Sequence, residues 1–110
     1  MPVVRGPDEL TTREGTGWTE TLCASAEVFG TPEPVRARRI VVAPGASAPV
    51  EAGGTEAMAY VAGGSGVLEI AGERHPLAPE SMAWIDPPGP FVLVGGTGGL
   101  EVFLAEAPVR

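Results

Sequence analysis

Few side chains of this chain could do acid–base or nucleophilic chemistry. His75 is the only histidine, and so the only side chain that titrates near neutral pH without help from its surroundings. It follows a turn signal and precedes Pro76, which favours an exposed hairpin edge over a catalytic position. Cys23 lies in no motif and is predicted to be a small core residue rather than a nucleophile. A single histidine at this spacing gives no basis for a serine–histidine–aspartate triad.

Charge and hydropathy limit the partners that the chain can have. Fourteen acidic residues stand against 7 basic ones in 110 residues, which disfavours nucleic acid and anionic membrane surfaces. The charged N-terminus has no apolar core of signal-peptide length, and no stretch approaches the roughly 18 apolar residues of a membrane span. The single cysteine cannot form an internal disulfide. We expect a soluble cytoplasmic protein.

The elements that must position any site are short strands between turn signals. Turns are predicted at Pro44-Gly45, 63–66, Ala71-Gly72, Pro79 and 86–90. The strands predicted between them are 18–22, 35–42, 56–62, 67–70, 73–77, 81–85, 91–94 and 100–105. Residues 1–17 are polar and are predicted to form an arm, and residues 18–110 a single domain. Periodicity therefore predicts an all-β sandwich or barrel, and leaves a jelly roll, an immunoglobulin-like sandwich and a lipocalin fragment open.

Two stretches of the sequence resemble a known family, and this resemblance distinguishes between the three folds. From Gly45 to Gly64 the chain has every interval of the pattern Gly, five residues, His-x-His, three or four residues, Glu, six residues, Gly. The interval from Glu80 to Gly95 fits the second signature of the same family. In these residues the chain resembles the small single-domain bacterial cupins, and further matches are Trp18, Glu20, Arg38, Arg39, Tyr60, Leu77, Pro79, Ile85 and Pro90. The resemblance implies a cupin jelly-roll barrel of two sheets.

The metal-binding side chains of that pattern are missing. Its two histidine positions fall on Glu51 and Gly53, its glutamate on Ala57 and its last histidine on Phe91. Only Glu51 offers a lone pair, and one carboxylate cannot hold a divalent transition metal. Glu56 neighbours the glutamate position, but strand alternation would point it to the opposite face. We therefore predict a barrel that holds no metal and no other cofactor.

An emptied barrel centre predicts a ligand cavity. If the signature positions face inward, alternation also turns Ala59, Val61 and Leu93 inward. Small and apolar residues there predict a roomy apolar cavity, with Trp84 either lining it or packing in a core or interface. The predicted ligand contacts are Gly53, Ala57, Ala59, Val61, Trp84, Phe91 and Leu93. Glu51 would be the lone carboxylate, whose pKa burial would raise toward neutrality for acid–base work; otherwise it lies solvated at the mouth.

Three classes of function remain open from the sequence. The first is a metal-independent enzyme, an isomerase, cyclase or lyase of a biosynthetic pathway, with Glu51 as its acid–base group. The second is a binding or carrier protein with the same cavity, and the third a structural or interaction subunit. The resemblance favours a small-molecule role. It also implies a homodimer, formed through sheet faces or through exchange of an N-terminal arm from residues 1–17.

Overall fold

The computed structural model describes residues 10–24, 36–51, 55–85 and 90–108, and the regular elements in these ranges are all β-strands. In chain order they are β1 (Thr11–Gly15), β2 (Trp18–Ala24), β3 (Arg36–Val42), β4 (Ser47–Val50), β5 (Thr55–Ile70), β6 (Glu73–Leu77), β7 (Met82–Ile85) and β8 (Phe91–Pro108). Within these ranges, no helix is long and apolar enough to cross a membrane. The cytoplasmic location stays a prediction.

Two long strands, β5 and β8, organise the barrel. They pair antiparallel with each other, and each contributes to two layers. The larger layer has the order β1-β2-β3-β8-β5-β7, in which 100–106 of β8 pair with β3 and 57–60 of β5 pair with β7. The smaller layer has the order β4-β8-β5-β6, in which 91–94 of β8 pair with β4 and 66–70 of β5 with β6. The result is an all-β jelly roll, as predicted.

The bend of β5 replaces the turn that was predicted at 63–66. The ladder to β8 continues through this segment with register shifts between Val61 and Gly63 and between Gly64 and Gly66. Gly64 has a φ of 71°, and a Cβ there would lie 2.0 Å from the carbonyl oxygen of Gly99. The glycines therefore let two strand backbones approach closely while one strand passes between layers. The predicted turn was wrong because glycines that permit a turn also permit a bulged bend.

Two of the predicted turns are confirmed, and two strands were missed by the sequence. The Ala71-Gly72 hairpin is confirmed, with φ values of 52° and 79° that match a type I′ turn, and so is the turn at Pro44-Gly45. The sequence missed β4, whose serine and proline are poor strand signals. It also missed β1, whose five residues are all exposed and so carry no apolar alternation. Residues 1–9 of the predicted arm lie outside the described part of the chain.

The core lies between the two layers and is formed by one face of each strand. Strand β3 shows the alternation clearly, because Arg38, Ile40 and Val42 are buried while Arg39 is exposed. The buried apolar side chains form one cluster: Ile40, Val42, Ala48, Val50, Ala57, Ala59, Val61, Leu68, Leu77, Ile85, Phe91, Leu93, Leu100, Val102 and Leu104. Burial of this cluster is the main apolar contribution to the stability of the fold.

Candidate functional site at the mouth of the barrel

The two ends of the barrel differ in construction. One end holds the glycine-rich bends at 63–66 and 95–99. At the other end, β4 ends at Val50, which pairs with Phe91, and a hairpin connects β5 to β6. Strand β3 begins at this end too, paired with the last residues of β8. We call this second end the mouth. It is bordered by these β-strand termini.

Five of the predicted ligand contacts lie in the core. Ala57, Ala59, Val61, Phe91 and Leu93 face the interior, as alternation predicted, and their exposed fractions are between 0% and 3%. They pack within the single core cluster, and apart from Phe91 they do not line the cavities described below. Their role as ligand contacts stays a prediction. The open space of this barrel lies toward its mouth, because aliphatic side chains from both layers meet at its centre.

The remaining predicted site residues lie apart from that cluster. Glu51 follows β4 and is exposed at the mouth, which is the second of the two positions that the sequence left open for this carboxylate. Gly53 lies outside the described residues. Trp84 points away from the barrel centre on β7, where 63% of its surface is exposed. The reason is strand phase: Ile85, which pairs with Ala57, occupies the inward position.

The residues at the signature positions do not fit a metal ion. Ala57 and Phe91 are buried and carry no donor atom, and Glu56 lines the outer surface with Met58, as alternation predicted. Among the residues that the structure describes, no group of three histidine, cysteine, aspartate or glutamate side chains is placed to hold a metal. A transition-metal site needs three or four such ligands around one point.

A buried charged cluster takes up the interior at the mouth instead. The guanidinium of Arg38 donates from Nε to Oε1 of Glu106 at 2.6 Å and from Nη1 to Oε1 of Glu20 at 3.1 Å. Its Nη2 donates to the carbonyl oxygen of Glu51 at 3.0 Å. Arg36 and Arg13 add bonds to Glu106 and Glu20 at 2.9 and 3.0 Å. Arg38 therefore ties three strands and the end of β4 together.

The environment of Glu20 lowers the pKa of its carboxyl. Burial alone would raise that pKa, because it disfavours the charged form. The hydrogen bond and positive charge of Arg38, followed by those of Arg13, outweigh burial and hold the pKa below the ordinary value of 4.5. Glu20 is consequently a fixed anion at neutral pH. It serves as an ion-pair partner of Arg38 and not as a proton donor.

A cleft of about 850 Å³ lies between β6 and β7, which in the described part of the chain each pair with β5 and with no other strand. We call it the mouth cleft. Its apolar wall consists of Leu68, Leu77, Ile85 and Ala83, and its outer rim carries Met82 and Trp84. The register pairs Leu68 with His75 and Ile70 with Glu73, so Glu73 and His75 lie on the interior side of β6. His75 is exposed at the hairpin edge, as predicted, but it faces this cleft.

A second groove of about 510 Å³ adjoins the mouth cleft and carries Glu51. The two spaces share four lining residues, namely Ile70, Ala71, Glu73 and Pro90. Glu51 also borders a cavity of about 380 Å³ above the charged cluster, together with Arg13, Glu20, Arg36 and Arg38. The groove of about 510 Å³ is lined by Glu69 and Arg74 on the outer side of the β5–β6 hairpin, and Glu73 borders both this groove and the mouth cleft.

Sequence reasoning missed both the charged cluster and the cleft face of His75. The signal for the cluster was present, because Glu20, Arg38 and Glu106 each occupy the buried phase of an otherwise apolar alternation. A charged side chain at a buried strand position is costly unless it is paired. Three such positions in one small core are therefore expected to pair with one another. The orientation of His75 depended on the register between β5 and β6, which follows from the two-residue hairpin at Ala71-Gly72.

Comparison with solved structures shows that the fold is that of the cupin barrels. Ectoine synthase from P. lautus superposes with a TM-score of 0.76 at 16% identity, over 97% of this chain and 78% of that one. KdgF from Halomonas sp. gives 0.69 at 21%, over 94% and 93%. The Cupin_2 domain of an XRE family transcriptional regulator from Enterobacter cloacae gives 0.69 at 16%, over 86% and 99%. No family profile matches the sequence, and no curated protein matches it significantly.

Proposed function

We propose that this cupin is a metal-independent enzyme of the isomerase, cyclase or lyase type that binds a small molecule across its mouth. The observation that carries the proposal is the mouth cleft, where an apolar wall meets a few titratable side chains. Ligand sites usually have volumes of about 300–1,000 Å³, apolar linings and a few placed polar groups. A cleft of about 850 Å³ with Glu73 and His75 on its inner side has this composition.

The chemistry needs an acid and a base on the two sides of a ligand. Isomerisation, cyclisation and elimination by proton transfer each remove one proton and deliver another, and positioned side chains accelerate such transfers by about 10²–10⁴-fold. His75 borders the mouth cleft and Glu51 borders the adjoining groove. A molecule that lies across the mouth would have an imidazole on one side and a carboxylate on the other. One of the similar folds, ectoine synthase, is an enzyme by name, which supports a catalytic role for such a barrel.

The lining also indicates the class of ligand. Leu68, Leu77 and Ile85 favour an apolar body, and the exposed ring of Trp84 at the rim can stack on a flat one. The mouth cleft is lined by the carboxylate of Glu73 and, among the residues that the structure describes, by no arginine. A neutral or weakly basic ring compound therefore fits this opening better than an anion.

A nuclear magnetic resonance titration with two neutral aromatic probes, indole and 2-naphthol, tests the binding site. Because His75 is the only histidine, its ring signals report the cleft without ambiguity. We expect both probes to shift these signals, and Ala83→Trp to weaken their binding at least tenfold by filling the cleft. Thr97→Trp, on an exposed residue at the opposite end, is the matched control and should bind normally. Probe binding that leaves His75 unshifted and tolerates Ala83→Trp would exclude the mouth cleft.

The same variants separate an enzyme from a carrier, which is the second candidate function. The molecule that copurifies with the untagged protein is identified by native mass spectrometry and incubated with the protein and with His75→Gln and Glu51→Gln. An enzyme should convert it, and each variant should lose conversion at least tenfold while it keeps binding. A carrier should return the molecule unchanged in all three samples, and this outcome would replace the enzymatic proposal with the binding one.

A further inference from the structure

The buried charged cluster has an arginine at each end. Arg13 lies opposite Glu20 in the β1–β2 ladder, and Arg36 lies opposite Glu106 in the β3–β8 ladder. Arg38 stands between these two pairs and donates to both glutamates. The charges therefore alternate in the order Arg13, Glu20, Arg38, Glu106 and Arg36. Three guanidinium groups against two carboxylates leave one positive charge in excess.

The carboxylate oxygens of this cluster are all bonded, whereas several of its N–H donors are not. One oxygen of Glu20 accepts from Arg38 and the other from Arg13. The oxygens of Glu106 accept in the same way from Arg38 and Arg36. A guanidinium carries five N–H donors. In the described part of the chain, Arg13 and Arg36 each bond through one nitrogen, Nη2, so both end arginines keep donors for a further acceptor.

Both end arginines line the same space, the cavity of about 380 Å³ above the charged cluster. We call it the arginine cavity. Thr11 and Leu22 also line it, and the register places them level with Arg38, between the levels of Arg13 and Arg36. Ligand sites usually have about 300–1,000 Å³ and combine apolar contact with a few placed polar groups. The arginine cavity has this composition, with the aliphatic side chain of Leu22 beside the available guanidinium donors.

We propose that the arginine cavity binds a small organic carboxylate. Its anionic group accepts hydrogen bonds from the end arginines, and its apolar body lies against Leu22. The planar fork of a guanidinium matches the two oxygens of a carboxylate, and such charge-assisted bonds are about twice as strong as neutral ones. Inorganic phosphate offers similar oxygens without an apolar body, so it matches only the polar part of this lining.

The end arginines are held in place before any ligand binds. Nη2 of Arg13 donates to Glu20 at 3.0 Å, and the guanidinium lies over the ring of Trp18, 5.9 Å from its centroid. That distance is within the range of a cation–π contact. Nη2 of Arg36 donates at 2.9 Å to Glu106, whose side chain is completely buried. A carboxylate that binds here therefore orders few side chains, and little affinity is lost to conformational entropy.

Glu51 borders the arginine cavity and carries the same charge as the proposed ligand. Like charges repel, so this carboxylate should weaken the binding of an anion, although its exposure to water reduces the effect. The opposite charges of Glu51 and the end arginines therefore predict opposite effects of their removal. Among the described residues, the arginine cavity shares no lining residue with the mouth cleft. A carboxylate can bind here whether or not the mouth cleft holds a ligand.

A ligand-detected nuclear magnetic resonance titration of the full chain with benzoate tests the site, and benzamide is the neutral counterpart. We expect benzoate to bind and to shift the indole N–H signal of Trp18 through Arg13, whereas benzamide leaves that signal in place. Arg13→Gln and Arg36→Gln should each weaken benzoate binding about tenfold, because each removes charged donors. Arg39→Gln, on the exposed face of β3, is the matched control and should bind normally. Glu51→Gln should tighten binding, and raising the salt concentration from about 50 to about 500 mM should weaken it.

Further variants keep the arginine cavity distinct from the mouth cleft. Trp84→Phe assigns the two tryptophan signals, and Ala83→Trp, which fills the mouth cleft, should leave benzoate binding unchanged. If circular dichroism shows that Arg36→Gln is unfolded, Arg13→Gln is the decisive variant, because that side chain is 62% exposed.

Several outcomes would overturn the proposal. They are an absence of benzoate binding at millimolar concentrations, binding that survives both arginine substitutions, and binding that is lost in Ala83→Trp. Weaker binding in Glu51→Gln would also overturn it, because the carboxylate would then assist the ligand instead of repelling it. So would inorganic phosphate that binds as tightly as benzoate, since the cavity would then select no organic body.

Discussion

Glu106 is the partner of Ala57 across the antiparallel ladder between β5 and β8, and both side chains are buried on the interior face. Ala57 stands where the cupin pattern has its glutamate. The carboxylate absent from that position is thus present one strand away, bonded to the guanidinium of Arg38. The interior at the mouth contains a fixed arginine with its carboxylates in place of a constellation of metal ligands.

Replacement of Arg38 should destabilise the protein severely. Arg38→Met keeps the apolar stem but leaves Glu20 and Glu106 as buried carboxylates without their common partner. Loss of one member of a buried ion pair costs about 3–5 kcal/mol in the free energy of unfolding. Arg39→Met is the matched control, because that side chain pairs with Glu101 at the surface and should cost at most about 1 kcal/mol. Equal losses in urea denaturation would contradict the structural role of Arg38.

Stability should fall in acid through Glu20. Its pKa in the folded protein is below the ordinary value of 4.5 that applies to the unfolded chain. The unfolded state therefore binds the proton more readily, and the contribution of Glu20 is complete above pH 4.5 and declines as the pH falls through the folded-state pKa. Urea denaturation between neutral pH and pH 3 should show this decline, on the order of one proton in slope.

Glu20→Gln should flatten that acid limb, since the amide does not titrate. Glu101→Gln serves as the control for an ion pair at the surface and should leave most of the slope in place. An acid limb of the same slope in Glu20→Gln and in the wild type would show that other carboxyl groups account for the decline.

Two alanine positions should respond oppositely to tryptophan. The sequence predicts a roomy cavity at the barrel centre, which Ala57→Trp would fill at little cost, but Ala57 is only 1% exposed within the packed core. We now expect overpacking to cost about 1–3 kcal/mol. Ala83, which lines the mouth cleft, should accept tryptophan with a smaller loss. Thermal unfolding of the two variants measures this difference. An unchanged melting temperature for Ala57→Trp would support the cavity that the sequence predicts at the barrel centre.

Metal content should be substoichiometric. The donor set around Ala57 and Phe91 does not fit a transition metal, so untagged protein analysed by mass spectrometry should hold far less than one iron, manganese, zinc, nickel or copper ion per chain. Dialysis against a chelator should change neither its stability nor its probe binding. A stoichiometric metal that survives the chelator would contradict this prediction.

The sequence by itself determined most of the local structure of this protein, although not β1, β4 or the bend at 63–66. Turn residues and the two signature intervals fixed the order of most strands, the Ala71-Gly72 hairpin and the phase that turns Ala57, Ala59 and Leu93 inward. These features depend on neighbours within a few residues, where backbone geometry and alternation act directly. The same phase predicted that Glu56 lies on the opposite face from Ala57.

Only the tertiary structure decided where the cavities and the buried ion pairs lie. Arg38 meets Glu20 from 18 residues away and Glu106 from 68 residues away, and no local pattern sets such a distance. The mouth cleft lies between β6 and β7, which are edge strands of different layers in the described part of the chain, and their separation depends on the bends of β5 and β8. The volume left between two layers follows from the sum of all their packed side chains, and single positions such as Ala57 do not determine it.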